Sequence, residues 1–132
     1  MTKVSTHLMF QGKATAALDA YSTVFSDFTI ERIEKYGDNE QGAPGTIKRA
    51  SVSFAGHKLI VIDSPPVHDF DFTPSISLFV DFESDETLET AFAKLSEAGK
   101  IMMPLDDYGF SKRFGWLSDK FGVSWQLNLP RV

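Results

Sequence analysis

Two groups of side chains in this 132-residue sequence have types and spacing suited to chemistry. The first pairs an imidazole, His7, with a carboxylate, Asp63; each ends or lies within an apolar stretch, and either could act as a general base. The second is a row of polar groups, Ser124, Gln126 and Asn128, interleaved with Val123, Trp125 and Leu127. That alternation is the period of a strand with one apolar and one polar face. The run Phe114–Leu127 reads as a hairpin, its Asp119-Lys120-Phe121-Gly122 turn supplying a loop-starting Asp and a Gly free to take positive φ. A polar face beside Trp116 and Trp125 suits a sheet that holds a ligand, and the same pattern also describes a solvated hairpin. Bland readings stand beside the other candidates too. A lone strand His is often only a hydrogen-bonded structural residue, and Asp63 before Ser64-Pro65 can be a turn former. His57, His68 and the Asp106-Asp107 pair fall in turns and loops, where side chains are solvated.

Several function classes are excluded by what surrounds these groups. The net charge is −5 and Lys and Arg do not cluster, so a phosphate-backbone footprint is absent and nucleic acid is not expected as a partner. The sequence has no cysteine, hence no thiol nucleophile, disulfide or thiolate metal site. It shows no G-x-S-x-G elbow and no Walker loop, and Gly109 with Gly115 does not make a dinucleotide fingerprint. No apolar run approaches the roughly 18 residues of a membrane span, and no basic-then-apolar leader is seen, so a cytoplasmic location with no membrane partner is expected. A hydrophobic fraction of 42% with 12 Phe indicates a folded domain with a real core.

The elements that must position the candidates come in two similar series. Strands are expected over Val4–Phe10, Phe28–Tyr36, Thr46–Phe54 and His57–Asp63, with a helix over Lys13–Phe25 carrying Ala14, Ala17, Leu18, Tyr21, Val24 and Phe25 on one face. Ser64–Pro74, with three prolines, reads as a linker. A second series follows: a strand over Ser75–Asp81, a helix capped by Ser84 with Leu88, Ala91, Phe92 and Leu95 buried and Gly99 as its stop, then strands over Lys100–Leu105, Lys112–Ser118 and Val123–Leu129. The expected fold class is α+β, a single domain over 1–132 built of a module over about 1–64 and a second over about 74–132.

Leu8-Met9-Phe10-Gln11-Gly12, then Ala16-Ala17-Leu18, Tyr21 and Val24-Phe25, then Phe54 and Gly56 with the apolar run to Asp63, and above all the Trp116–Gln126 hairpin resemble one family across nearly the whole chain. It is the PhnB-like, so-called 3-demethylubiquinone methyltransferase-like, branch of the vicinal-oxygen-chelate superfamily of glyoxalases, bleomycin-resistance proteins and dioxygenases. The resemblance implies paired βαβββ modules forming a curled, cup-shaped mixed sheet, and commonly a homodimer. In metal-using members, four strand positions supply His and Glu ligands. By that resemblance they fall here on His7 (Thr6 in an ungapped count), on the apolar Leu59–Ile62 stretch, on Ser75 and on Gln126. Hydroxyls and a neutral amide bind a transition metal poorly, so neither a metal nor another cofactor is expected. The ligand-facing positions implied are Ser75, Ser77, Phe79, Ser124, Gln126 and Asn128. Two readings follow: a module that binds a small, partly apolar molecule in a metal-free cup, or a lyase, isomerase or transferase-type enzyme that uses His7, Asp63 or an atypical metal site. Methyl transfer itself finds no Gly-rich strand-to-helix loop for a methyl donor's nucleotide moiety.

Overall fold

A computed structural model describes residues 1–131, which divide into two compact units, Met1–Asp69 and the chain from Phe70 onward. The first unit runs β1 (Thr6–Phe10), α1 (Ala14–Val24), β2 (Phe28–Lys35), β3 (Ile47–Phe54) and β4 (His57–Asp63). Its sheet has the order β1-β4-β3-β2, with β1 parallel to β4 and the rest antiparallel. Registers Leu8↔Val61, Val61↔Ala50 and Leu59↔Val52 align one buried face, on which α1 lays Ala14, Ala17, Leu18 and Tyr21. Phe25, Phe28 and Phe54 close that core through ring contacts at 4.8 Å and 5.3 Å between centroids. The β3–β4 turn has positive φ at both Ala55 (48°) and Gly56 (85°), the geometry whose twist matches that of the flanking strands. A bulge between Ile30 and Arg32 breaks the expected alternation on β2, and Ile33, on this outer strand, stays exposed.

The second unit repeats the plan: β5 (Leu78–Asp81), α2 (Asp85–Ser96), β6 (Lys100–Asp106), β7 (Arg113–Ser118) and β8 (Ser124–Leu129), in sheet order β5-β8-β7-β6. Each unit therefore has strand–helix–strand–strand–strand order with its first and last strands parallel, an α+β arrangement. Ser84 caps α2 by accepting the Thr87 N–H at 3.2 Å, and Asp85 and Glu86 sit where the helix dipole favours negative charge. Leu88, Ala91, Phe92 and Leu95 are buried as the helical spacing requires. Gly115 makes this packing possible, since a Cβ there would lie 2.5 Å from the Phe92 ring.

Two expectations are corrected. Ser75 is not in the strand: Thr73-Pro74-Ser75 turns, with the Thr73 and Ser75 hydroxyls bonded at 2.7 Å, and pairing begins only at Leu78. A proline one residue upstream and this local hydroxyl contact favour turn over ladder. After α2, it is Ala98 that takes the left-handed conformation (φ 58°). Gly99 is needed for another reason, because a Cβ there would meet the Ser118 carbonyl oxygen at 2.3 Å.

Candidate functional site

Strand alternation divides the second sheet into an α2 face and an opposite face, and the register arranges the opposite face in rows. Gly115, against Phe92, pairs with Leu127, so Leu127 and Trp125 face the helix and Gln126 faces away. One row across the sheet is Asp106–Phe114–Asn128–Asp81 and the next is Met103–Trp116–Gln126–Phe79. A third begins Lys100–Ser118–Ser124, beside the Ser77 hydroxyl. Hydrogen bonds tie the rows together. Trp116 Nε1 donates to Ser124 Oγ (2.9 Å), the Ser77 and Ser124 hydroxyls share a 2.7 Å bond, and Gln126 Nε2 donates to Ser77 Oγ (3.3 Å). Asn128 Nδ2 donates to Asp81 Oδ1 at 2.8 Å.

Of the expected ligand-facing residues, Ser77, Phe79, Ser124, Gln126 and Asn128 thus share one face, and Ser75 stands apart from it in its turn. Phe79 is 56% exposed, and its ring lies 6.2 Å from that of Phe114, across the intervening β8. Phe114 in turn makes edge contacts with Tyr108 and Phe110 from the loop before β7. Trp116, Phe114, Asp81 and Asp106 were missed as members of this face. Alternation with Gly115 and Leu117 could have found Trp116 and Phe114, and alternation from Ser77 and Phe79 could have found Asp81; Asp106 is placed by inter-strand register. Trp125 goes to the core, its Nε1 donating to Asp119 Oδ2 at 3.0 Å. Asp119 Oδ1 accepts the Phe121 and Val123 N–H groups, so this one carboxylate organises the hairpin turn.

In the first unit, His7 and Asp63 do not converge. Asp63 pairs in register with Phe10 on the α1 face and is 2% exposed. Its Oδ1 accepts the N–H groups of Gly12 (2.9 Å) and Ala14 (3.0 Å), and its Oδ2 accepts that of Ile47 (2.9 Å). This is the setting of a structural acceptor joining the end of β4, the start of α1 and the start of β3; it is neither a local turn former nor a base facing a ligand. His7 pairs with Ile60, projects from the other face and is exposed. His57, exposed at the start of β4 beside the Ala55-Gly56 turn, shares a 2.9 Å hydrogen bond with Thr6 Oγ1.

Ion pairs lie away from the polar face. Arg113 is held by Glu89 and Asp85, and these bonds raise its guanidinium above its ordinary pKa. Arg131 on Asp107, helped by the Gly109 N–H, holds that carboxyl below its usual range. The metal positions implied by the resemblance can be tested on register. His7 sits beside Ile60 in the first sheet; in the second, the implied Ser75 lies in the turn before β5, and the residue beside Gln126 is Phe79. Neither pair, an imidazole beside an alkyl chain or a phenyl ring beside an amide, supplies the basic imidazoles and carboxylates that a divalent metal needs. Among the described residues no three His, Cys, Asp or Glu side chains group as such a site. Among the described residues no helix is long and apolar enough to cross a membrane.

The family described as 3-demethylubiquinone-9 3-methyltransferase matches residues 2–128. A putative 3-demethylubiquinone-9 3-methyltransferase, PhnB protein, from Bacillus cereus is 46% identical, with a TM-score of 0.92 over 97% of this chain and 99% of its own. Protein YjdN of Escherichia coli K12 is 24% identical over 141 residues, covering 97% of this chain and 95% of that protein. A glyoxylase/bleomycin resistance protein/dioxygenase domain from Frankia shares the fold, with a TM-score of 0.69 at 15% identity over 99% of both chains.

Proposed function

The chain belongs to the 3-demethylubiquinone-9 3-methyltransferase family, in its PhnB-like form and with the glyoxalase/bleomycin-resistance fold, and on that premise we propose that it binds a small, partly apolar molecule without the help of a metal. The observation that carries this reading is the polar face of the second sheet. Ser77, Ser124, Trp116 and Gln126 form a connected hydrogen-bond network next to Phe79, a ring more than half exposed in the middle of a strand. Fixed polar groups beside an uncovered aromatic surface can orient a ligand and bury its apolar part. The rigid sheet holds them in place, and the hydroxyl chain gives each side chain one preferred rotamer. A methyl donor's nucleotide moiety finds no Gly-rich cradle at the β1–α1 connection, which offers one glycine, Gly12, whose N–H is already used by Asp63.

A second reading, an enzyme of the same superfamily using His7 as base, is supported by the exposure of that imidazole on the face away from α1. A homodimer in the cytoplasm completes the proposal. Each four-stranded sheet ends in outer strands, and such edges invite pairing with a second copy.

Native mass spectrometry of the purified protein, with elemental analysis, reads bound small molecule, metal and subunit count together. The proposal expects a dimer mass, no stoichiometric transition metal, and a ligand whose binding is lost in Gln126→Ala or Phe79→Ala. Stoichiometric metal bound through His7 would replace it with the enzyme reading.

A further inference from the structure

We infer that the ligand of this face is an organic cation, a protonated amine carried on a flat apolar body, seated at the Asp106–Phe114–Asn128–Asp81 end of the second sheet; this rests on the reading of that face as a binding site.

Three independent observations meet there. The first is a buried acceptor without a partner. Asn128 is 6% exposed, its Nδ2 is committed to Asp81 Oδ1, and its Oδ1 has no hydrogen-bond partner among the described residues. The bond to Asp81 fixes the amide orientation, since a flipped amide would set oxygen against carboxylate oxygen. A buried carbonyl oxygen left unpaired is costly, and a donor supplied by a ligand relieves that cost.

The second observation is charge. Asp81 and Asp106 flank the row at its two ends, both exposed, and neither forms an ion pair among the described residues. The neighbouring cations are already engaged, Arg113 by Asp85 and Glu89 and Arg131 by Asp107. Lys100 stands four residues further along β7 by register (118 − 114 = 4), about 13 Å away at strand rise. The local field therefore favours a positive ligand and disfavours an anion.

The third is aromatic surface. Phe79 on β5, beside Gln126, and Phe114 on β7, beside Asn128, lean toward each other, so their rings form a roof over the stretch of β8 that carries these two amides. Phe110 and Tyr108 extend the cluster, with Phe110 62% exposed. Ring faces attract cations, and a flat apolar body stacks on them. An exposed Phe79 rotating outward would open the roof and let an N–H reach Asn128 Oδ1, while the same ammonium meets the free oxygen of Asp81. Two amide and carboxylate acceptors under an aromatic roof match an ammonium donor; they do not match a phosphate or carboxylate ligand.

The test is a ¹⁵N-edited NMR titration of the full chain with three probes of equal shape: 2-phenylethylammonium, neutral 2-phenylethanol and the anion phenylacetate. The ammonium is expected to shift the Asn128 side-chain amide and the Phe79 backbone signal, and to bind at least about tenfold more tightly than either analogue. Asp81→Asn, a surface change checked for a dispersed spectrum, should erase that preference while leaving binding of the neutral probe intact. Phe79→Ala should weaken the ammonium and the neutral probe alike. If the neutral or anionic probe shifts the same signals as strongly, the face remains a binding site and the cation inference is overturned. If none of the probes moves them at tens of millimolar, both the inference and the binding reading of this face are overturned.

Discussion

Asp63→Ala should be among the most damaging single changes in the first unit, and its cost can be worked from three bonds. The carboxylate is buried and accepts N–H groups from Gly12, Ala14 and Ile47, at 2.9, 3.0 and 2.9 Å. Hydrogen bonds to a charged acceptor are worth about 1.5–3 kcal/mol each, and an orphaned buried donor costs about 1–3 kcal/mol. The Ala14 and Ile47 bonds are buried and the Gly12 bond only partly so, which allows water to rescue Gly12 alone. The expected loss is about 3–6 kcal/mol, a large part of the roughly 5–15 kcal/mol that holds a domain of this size together. Asp63→Asn is the sharper probe. One oxygen remains to accept from Gly12 and Ala14, but the NH₂ group then confronts the Ile47 N–H, donor against donor, so about 2–4 kcal/mol is still lost. Urea unfolding of both variants with unchanged m-values measures this, and hydrogen exchange should show protection lost at Ala14 and Ile47 together. An Asn variant within about 0.5 kcal/mol of the parent would refute the reasoning and return Asp63 to the list of residues kept for chemistry.

Gly115→Ala should destabilise by about 1–3 kcal/mol through overpacking, since the new Cβ falls 2.5 Å from the Phe92 ring, and Phe92→Leu should recover part of it in thermal melts. Ala55→Asn should stabilise by about 0.5–1 kcal/mol, because Ala55 holds φ 48° beside Gly56 in a turn that favours Asn-Gly; a lowered melting temperature would contradict that geometry. Dialysis against a chelator should leave the melting temperature unchanged, whereas a metal bound at a hundred times its Kd would contribute about 2.7 kcal/mol and several degrees. The Asp107 carboxyl, held low by Arg131 and the Gly109 N–H, should titrate below an ordinary aspartate by NMR. With its folded pKa depressed, its contribution is present above the unfolded value and lost as pH falls through the folded one, and Arg131→Ala should raise the titration only part of the way back, because the Gly109 N–H remains.

What the chain's own pattern determined is local. Period-two alternation marked β8, helical spacing marked both helices with their buried faces, and Ser84 announced its cap. These signals survive in one dimension because each reports which side of an element meets the core. Gln126 could be set away from Trp125 and Leu127 for the same reason, and so could Ser124 and Asn128. Tertiary structure decided everything that depends on which strands lie side by side. Asp81 and Asp106 join the Asn128 row only through register between strands separated in the chain, and Phe79, not Ser75, stands beside Gln126 because the Pro74 turn delays β5. Asp63 looked like a turn residue until its oxygens were found on N–H groups 49, 51 and 16 residues away. A side chain's type limits what it can do, but its role is set by partners that folding brings from elsewhere in the chain, and those distances are not written in its immediate neighbours.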